Sequence, residues 1–223
     1  MPRGKEPLPL VFDGPQWTDV SVSDIPELPK LPKHFTLSNP QFLARSHHSQ
    51  VYLLDITDHG KTFRAVLKLF PKQLKQRYVN EVNAYRFLCH YGVPDQGIVP
   101  KVYGVLPSLS KKALSKLLGD SIPEEAPVVG TAAAVVMEYI QGAQKASPET
   151  MTPTLAKKAV DALRTIHKAH ILHEDAEGRN LLVFPETEQV VWIDFSSATV
   201  NRDVLLALSE LNLLKELLYR KFV

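Results

Sequence analysis

The sequence predicts an α+β fold of two lobes, a small antiparallel-sheet lobe followed by a helical one. Three observations predict it. Short apolar runs separated by turn residues fill residues 41–70. A helix-period segment, 77–88, follows at once, with Tyr78, Val82, Tyr85 and Leu88 on one stripe. Further on, two helix-period segments flank a pair of short apolar runs, 181–184 and 190–193.

Residues 1–40 hold eight of the seventeen prolines, which favours an extended arm over regular structure. Its apolar residues, among them Leu10, Phe12, Trp17, Ile25, Leu28 and Leu31, are too many for a free linker, so part of it should dock. A meander follows, with strands over 41–45, 50–57 and 62–70 and a turn at Asp58-His59-Gly60-Lys61. The helix over 77–88 should end near Gly92-Val93-Pro94. A fourth strand is expected over 99–105, and an insert over 108–126 carrying a helix at 110–118 is expected to decorate the surface. Residues 134–142 read as a buried strand opening into a turn. Thr152 and Pro153 supply an N-cap and a first helical residue for a helix through Leu155, Ala159, Leu163, Ile166 and His167. A final helix over 202–220 carries so many leucines that the stripe should be buried, against this lobe or against a partner.

Composition narrows the function classes. A net charge of +2 gives no push toward nucleic acid or anionic membrane. No run of ~18 apolar residues offers a spanning helix, and the first residues lack a signal-peptide core. The single Cys89 excludes an intrachain disulfide and is expected buried on an apolar helix face. The histidines show no H-x-x-x-H spacing and C-x-x-C is absent, so no structural metal site is expected. These features point to the cytoplasm or nucleus.

The chemistry-bearing residues stand in apolar frames. Lys68 interrupts the run 65–70, and Glu81 follows thirteen residues later on the helix. His173-Glu174-Asp175 is followed by Asn180, five residues after Asp175, and by Asp194-Phe195-Ser196, nineteen after it. Taken alone, Asp175 and Asn180 could be a turn, and Met137-Glu138-Tyr139-Ile140 an ordinary core strand.

In this order the elements resemble the protein-kinase superfamily, whose marks are V-A-I-K, a helix glutamate, H-R-D-x-x-x-x-N and D-F-G. The resemblance covers about residues 41–200. It implies a two-lobed protein-kinase-like fold with ATP and magnesium between the lobes: a small antiparallel-sheet lobe (41–140) and a truncated helical lobe (141–223). Lys68 would meet the phosphates, oriented by Glu81, with Asn180 and Asp194 on the metal and Asp175 as base. Met137 would stand as gatekeeper, while Glu138 and Ile140 offer backbone contacts to adenine.

Three departures qualify the resemblance. Ala44, Ser46 and Ser49 stand where the nucleotide loop carries glycines, although backbone amides there, or the side chains of Ser46 and Ser49, can still meet phosphate. Glu177 replaces the lysine that touches the transferred phosphate, with Arg179 near enough to compensate. Glu174 replaces the arginine of H-R-D, so regulation by a phosphorylated activation segment is not expected. No A-P-E motif follows, and the compact ending is similar to atypical kinases of the RIO and KEOPS-complex type and to small fungal kinase-like proteins. The resemblance therefore implies an atypical kinase that transfers the γ-phosphoryl group of ATP to a hydroxyl of a protein or small molecule, or a slow ATPase. The alternative is a pseudokinase, a nucleotide-sensing scaffold that engages partners through its arm or its terminal helix.

Overall fold

The computed structural model describes residues 20–119, 132–200 and 203–222, with side chains through Leu218. Leu10, Phe12 and Trp17 of the arm, residues 120–126 of the insert, and Asn201 and Arg202 lie outside the described residues.

Five antiparallel strands make the first sheet: β1 (Thr36–Arg45), β2 (Gln50–Asp58), β3 (Lys61–Pro71), β4 (Val102–Leu109) and β5 (Ala132–Glu138), in the order β1-β2-β3-β5-β4. Lys68 therefore lies in the central strand, opposite Val51 on one side and Val135 on the other. Strand β1 starts earlier than the proline content suggested. It is an edge strand, and Pro40 falls in an irregularity between Ser38 and Gln41, where a missing N–H costs no ladder bond. Strand β4, the opposite edge, is shifted toward the C-terminus relative to the expected 99–105 and continues through Pro107 for the same reason.

Both faces of this sheet are covered. Helix α1 (Lys75–His90) buries Glu81, Ala84, Tyr85, Phe87 and Leu88 against one face. Cys89 is exposed, contrary to the burial expected, because the buried stripe ends at Leu88 as the helix leaves the core. Helix α2 (Lys111–Leu118), capped by Ser110 Oγ, covers the other face. It is no surface decoration. Leu114 and Leu118 are buried with Tyr52, Leu54, Leu67 and Leu69, residues that alternation turns away from α1 and that need a cover of their own.

The segment before β1 docks, as its apolar residues demanded. Ile25 and Leu28 are buried, Leu31 N–H donates to Val105 O (3.0 Å), and Val105 N–H donates to Pro29 O (2.9 Å). From α1, buried Arg86 donates to the carbonyls of Val22 (2.9 Å), Ile25 and Pro26 (3.1 Å), so a guanidinium caps the whole turn.

The second half is built on helix α3 (Pro153–Lys168), which begins as predicted with Thr152 Oγ1 accepting from Leu155 N–H. Leu155, Ala159, Leu163 and Ile166 form its buried stripe. Beside it lie β6 (Gln144–Lys145), β8 (Leu181–Phe184) and β9 (Gln189–Trp192) in one small sheet, and the two-residue ladder of β7 (Ile171–Leu172) with β10 (Thr199–Val200). Helix α4 (Val204–Phe222) packs on α3 through Ala207, Leu211, Leu214 and Leu218. Leucines stand on both sides of α4, so Leu205, Leu206 and Leu213 remain exposed rather than sharing the burial expected for the stripe. The result is the mixed α/β architecture anticipated, a five-stranded antiparallel lobe followed by helices.

Candidate active site

Lys68, Glu81 and Asp194 converge where β3, α1 and the end of β9 meet. Lys68 Nζ lies 2.6 Å from Glu81 Oε2 and 2.7 Å from Asp194 Oδ1. One cation thus stands between two carboxylates. Burial works against the Lys68 charge, but the two carboxylates outweigh it and hold its pKa above the usual value. Burial likewise opposes the Asp194 charge, and Lys68 with the Ser196 hydroxyl and amide outweighs it, so Asp194 titrates well below the usual carboxylate range. Glu81 is fully buried with Oε1 unbonded among the described residues. Burial pushes it up to about 7, an effect Lys68 only partly offsets.

Helix α1 is tied into this position from outside the triad. Arg77 donates to Ser197 Oγ (2.7 Å) and Asn80 Nδ2 to Ser196 O (3.2 Å). Phe195 is buried between Tyr85 and His173, with ring centroids 5.4 and 4.8 Å away. His173 can only donate through Nε2 to the Ile193 carbonyl (3.1 Å), and its Nδ1 is buried without a hydrogen bond. Burial accordingly lowers its pKa and keeps the ring neutral.

Asp175 and Asn180 occupy the loop between β7 and β8. Asn180 Nδ2 donates to Asp175 Oδ2 (2.8 Å), while Arg179 pairs with both Asp175 Oδ1 and Glu177. Ile193 N–H donates to Asn180 O (2.9 Å), which fixes Asn180 beside Asp194. Arg179 therefore sits as a bridge over the two carboxylates that flank the loop.

The remaining expected contacts are less open than the sequence suggested. Ser46 Oγ accepts from the amides of His48 (3.1 Å) and Ser49 (3.0 Å), and lies 3.1 Å from Ser49 Oγ. Two amides expected to cradle phosphate are thus bonded within the β1–β2 turn. At the other side Met137 is buried against Tyr85. Glu138 N–H donates to Lys101 O (2.8 Å), so an adenine contact there would come from its carbonyl. Ile140 lies just beyond β5, half-buried.

Sequence reasoning missed Glu210. From α4, its Oε2 meets His167 Nε2 (2.6 Å) and accepts from His173 N–H (3.1 Å), and its Oε1 accepts from Glu174 N–H (2.6 Å). Burial raises its pKa, but His167 and these donors win and lower it overall. Glu174 has a left-handed backbone (φ 61°), a strained turn that this carboxylate holds in place. The available signal was Glu210's position on the buried stripe, three residues after Ala207 and four before Leu214.

Beside Asp175, between the loop and α4, opens a cavity of about 600 Å³. Glu174, Asp175, Glu177, Glu210 and Glu216 line it, with Arg179 paired to Asp175 and Glu177, and His167 to Glu210.

No curated protein matches the chain significantly. The family model of the phosphotransferase enzyme family (APH) matches residues 41–189 of the 223, from within β1 to the first residue of β9, and stops before Asp194. The chain belongs to the phosphotransferase enzyme family, within the protein-kinase-like superfamily.

Proposed function

We propose that this phosphotransferase is an atypical kinase that moves the γ-phosphoryl group of ATP to a hydroxyl of a cationic acceptor. The observation that carries this is the meeting of Lys68, Glu81 and Asp194 within hydrogen-bond distance across three elements. A buried cation held by two carboxylates has little use in a plain structural core, where ion pairs gain little over apolar packing. It suits a site that must grip polyphosphate. The three units would be an arm (1–40), a small lobe (41–140) and a helical lobe (141–223).

The donor set fits magnesium. Asp194 is kept ionised, and Asn180 spends its Nδ2 on Asp175, which leaves the amide oxygen as its other ligand atom. Both are the hard oxygen donors this ion prefers. Asn180 and Asp194 would hold magnesium, which would supply positive charge against that of the phosphates. Lys68, oriented by Glu81, would hold the α- and β-phosphates. Asp175 would accept the acceptor's hydroxyl proton, and Arg179, released from it by substrate, would offset charge on the transferred group. With Arg179 drawn away by substrate, Asp175 and Glu177 at the adjoining cavity would favour a positively charged acceptor.

A second reading follows from the same loop. With Arg179 on Oδ1 and Asn180 on Oδ2, both oxygens of Asp175 are engaged, as they would be in a nucleotide-sensing pseudokinase. Replacing Asp175 with Ala separates the two. The kinase reading expects ATP turnover to fall ~10²–10⁴-fold while nucleotide binding persists. Unchanged or undetectable turnover in both proteins would favour the scaffold.

A further inference from the structure

Outside the nucleotide cleft, the tip of the β2–β3 hairpin meets the segment that leads into β1. There His34 Nε2 lies 3.3 Å from Asp58 Oδ1, and His59 Nε2 lies 3.7 Å from the same oxygen. The two imidazoles stack with centroids 4.8 Å apart and planes inclined by 30°. All three ligand atoms fall within 4.8 Å of one another. Yet Asp58 Oδ1, a buried atom, accepts no hydrogen bond, so neither ring directs an N–H at it. Two ring nitrogens and an orphaned carboxylate oxygen share a space without bonding across it. A cation between them would satisfy all three.

The spacing has a further meaning. On a tetrahedron with bonds of ~2.0–2.1 Å, ligand atoms sit about 3.3–3.4 Å apart. The two nitrogen–oxygen separations lie close to that edge length. The hairpin loop also fixes the direction of its donor: His59 (φ 44°) and Gly60 (φ 82°) are both left-handed, the geometry of a two-residue turn where Asn-Gly is the usual pair. Sequence spacing conceals the set, because His34 precedes β1 while Asp58 and His59 lie at the far end of β2.

We propose that His34, Asp58 and His59 form a binding site for a divalent transition-metal ion, zinc by the donor set. Two imidazoles with one carboxylate and a water suit zinc, whereas magnesium and calcium prefer oxygen alone. Both histidines are exposed, so the ion enters from solvent and keeps its fourth position toward water. Bound, it clips the docked N-terminal segment to the hairpin and stabilises the small lobe by mass action.

The test is calorimetric titration of tag-free protein with Zn²⁺ in the absence of nucleotide, paired with thermal melts. The expected result is one ion per chain, with affinity reduced roughly tenfold or more in His34→Ala and in His59→Asn, which preserves the left-handed turn. Zn²⁺ should raise Tm in the wild type and not in either variant, while Asp194→Asn binds as the wild type does. Wild-type protein that takes up no Zn²⁺ at millimolar concentration, variants that bind unchanged, or binding lost only in Asp194→Asn would each overturn the assignment.

Discussion

Arg179 is the residue on which the proposed chemistry turns. It bridges Asp175 and Glu177, and in the proposed reaction it is the cation beside Glu177 that would offset phosphoryl charge. Arg179→Ala should lower kcat ~10²–10³-fold with ATP binding little changed; steady-state kinetics beside calorimetry checks this, and a rise in kcat would mean that Arg179 merely masks the base. Lys68→Met tests the buried triad through pH. In the wild type Glu81 titrates at about 7, far above an unfolded carboxyl, so it keeps its proton in the fold until that pH. An acid with a raised folded pKa loses stability as pH climbs from its unfolded value to its folded one. Removing the lysine raises the Glu81 value further, so wild type and variant share this loss below about 7 and diverge above it. Urea midpoints should therefore separate progressively from pH 7 to 9, on top of a constant loss from Asp194; a pH-independent gap would contradict the triad. These residues were legible because apolar frames surrounded Lys68 and Asp194, and order along the chain linked them. Arg86 and Glu210 were not, since a lone charge in a helix gives no hint that backbone amides or carbonyls of distant segments will meet it.

Among the elements, α4 is the one whose role the sequence left open. Its leucines announced burial but not the partner, and the deciding contact is polar: Glu210 on the amides of His173 and Glu174. Glu210→Ala leaves these donors and His167 without their acceptor and should destabilise the protein by ~3–5 kcal/mol. Glu210→Gln keeps the shape and should recover part of that stability while kcat stays depressed, as measured by chemical denaturation and turnover together. The docked segment before β1 depends on a close approach. A Cβ on Gly104 would stand 2.6 Å from Leu31 Cα. Gly104→Ala should cost ~1–3 kcal/mol and open the segment to limited proteolysis; wild-type stability and protection would show that the segment is not held there. Proline counts misled at this scale. They marked an arm, but edge strands tolerate Pro40 and Pro107, so β1 and β4 run through them.

For the molecule as a whole, periodicity and turn chemistry were enough to anticipate an antiparallel lobe followed by helices, and the family match agrees over residues 41–189. What stayed hidden were the contacts between segments far apart in sequence: α2 as a cover for the second sheet face, the Ser46 turn that takes up loop amides, and the His34–Asp58–His59 set. Each arises from tertiary packing, to which local pattern is blind. Kinase function requires that the convergence of Lys68 and Asp194 be a nucleotide site. The most direct measurement is calorimetric titration with ATP in magnesium, wild type beside Lys68→Ala and Asp194→Ala. The prediction is magnesium-dependent binding to the wild type that both variants lose. Absence of binding to the wild type at millimolar ATP, or undiminished binding by both variants, would contradict it.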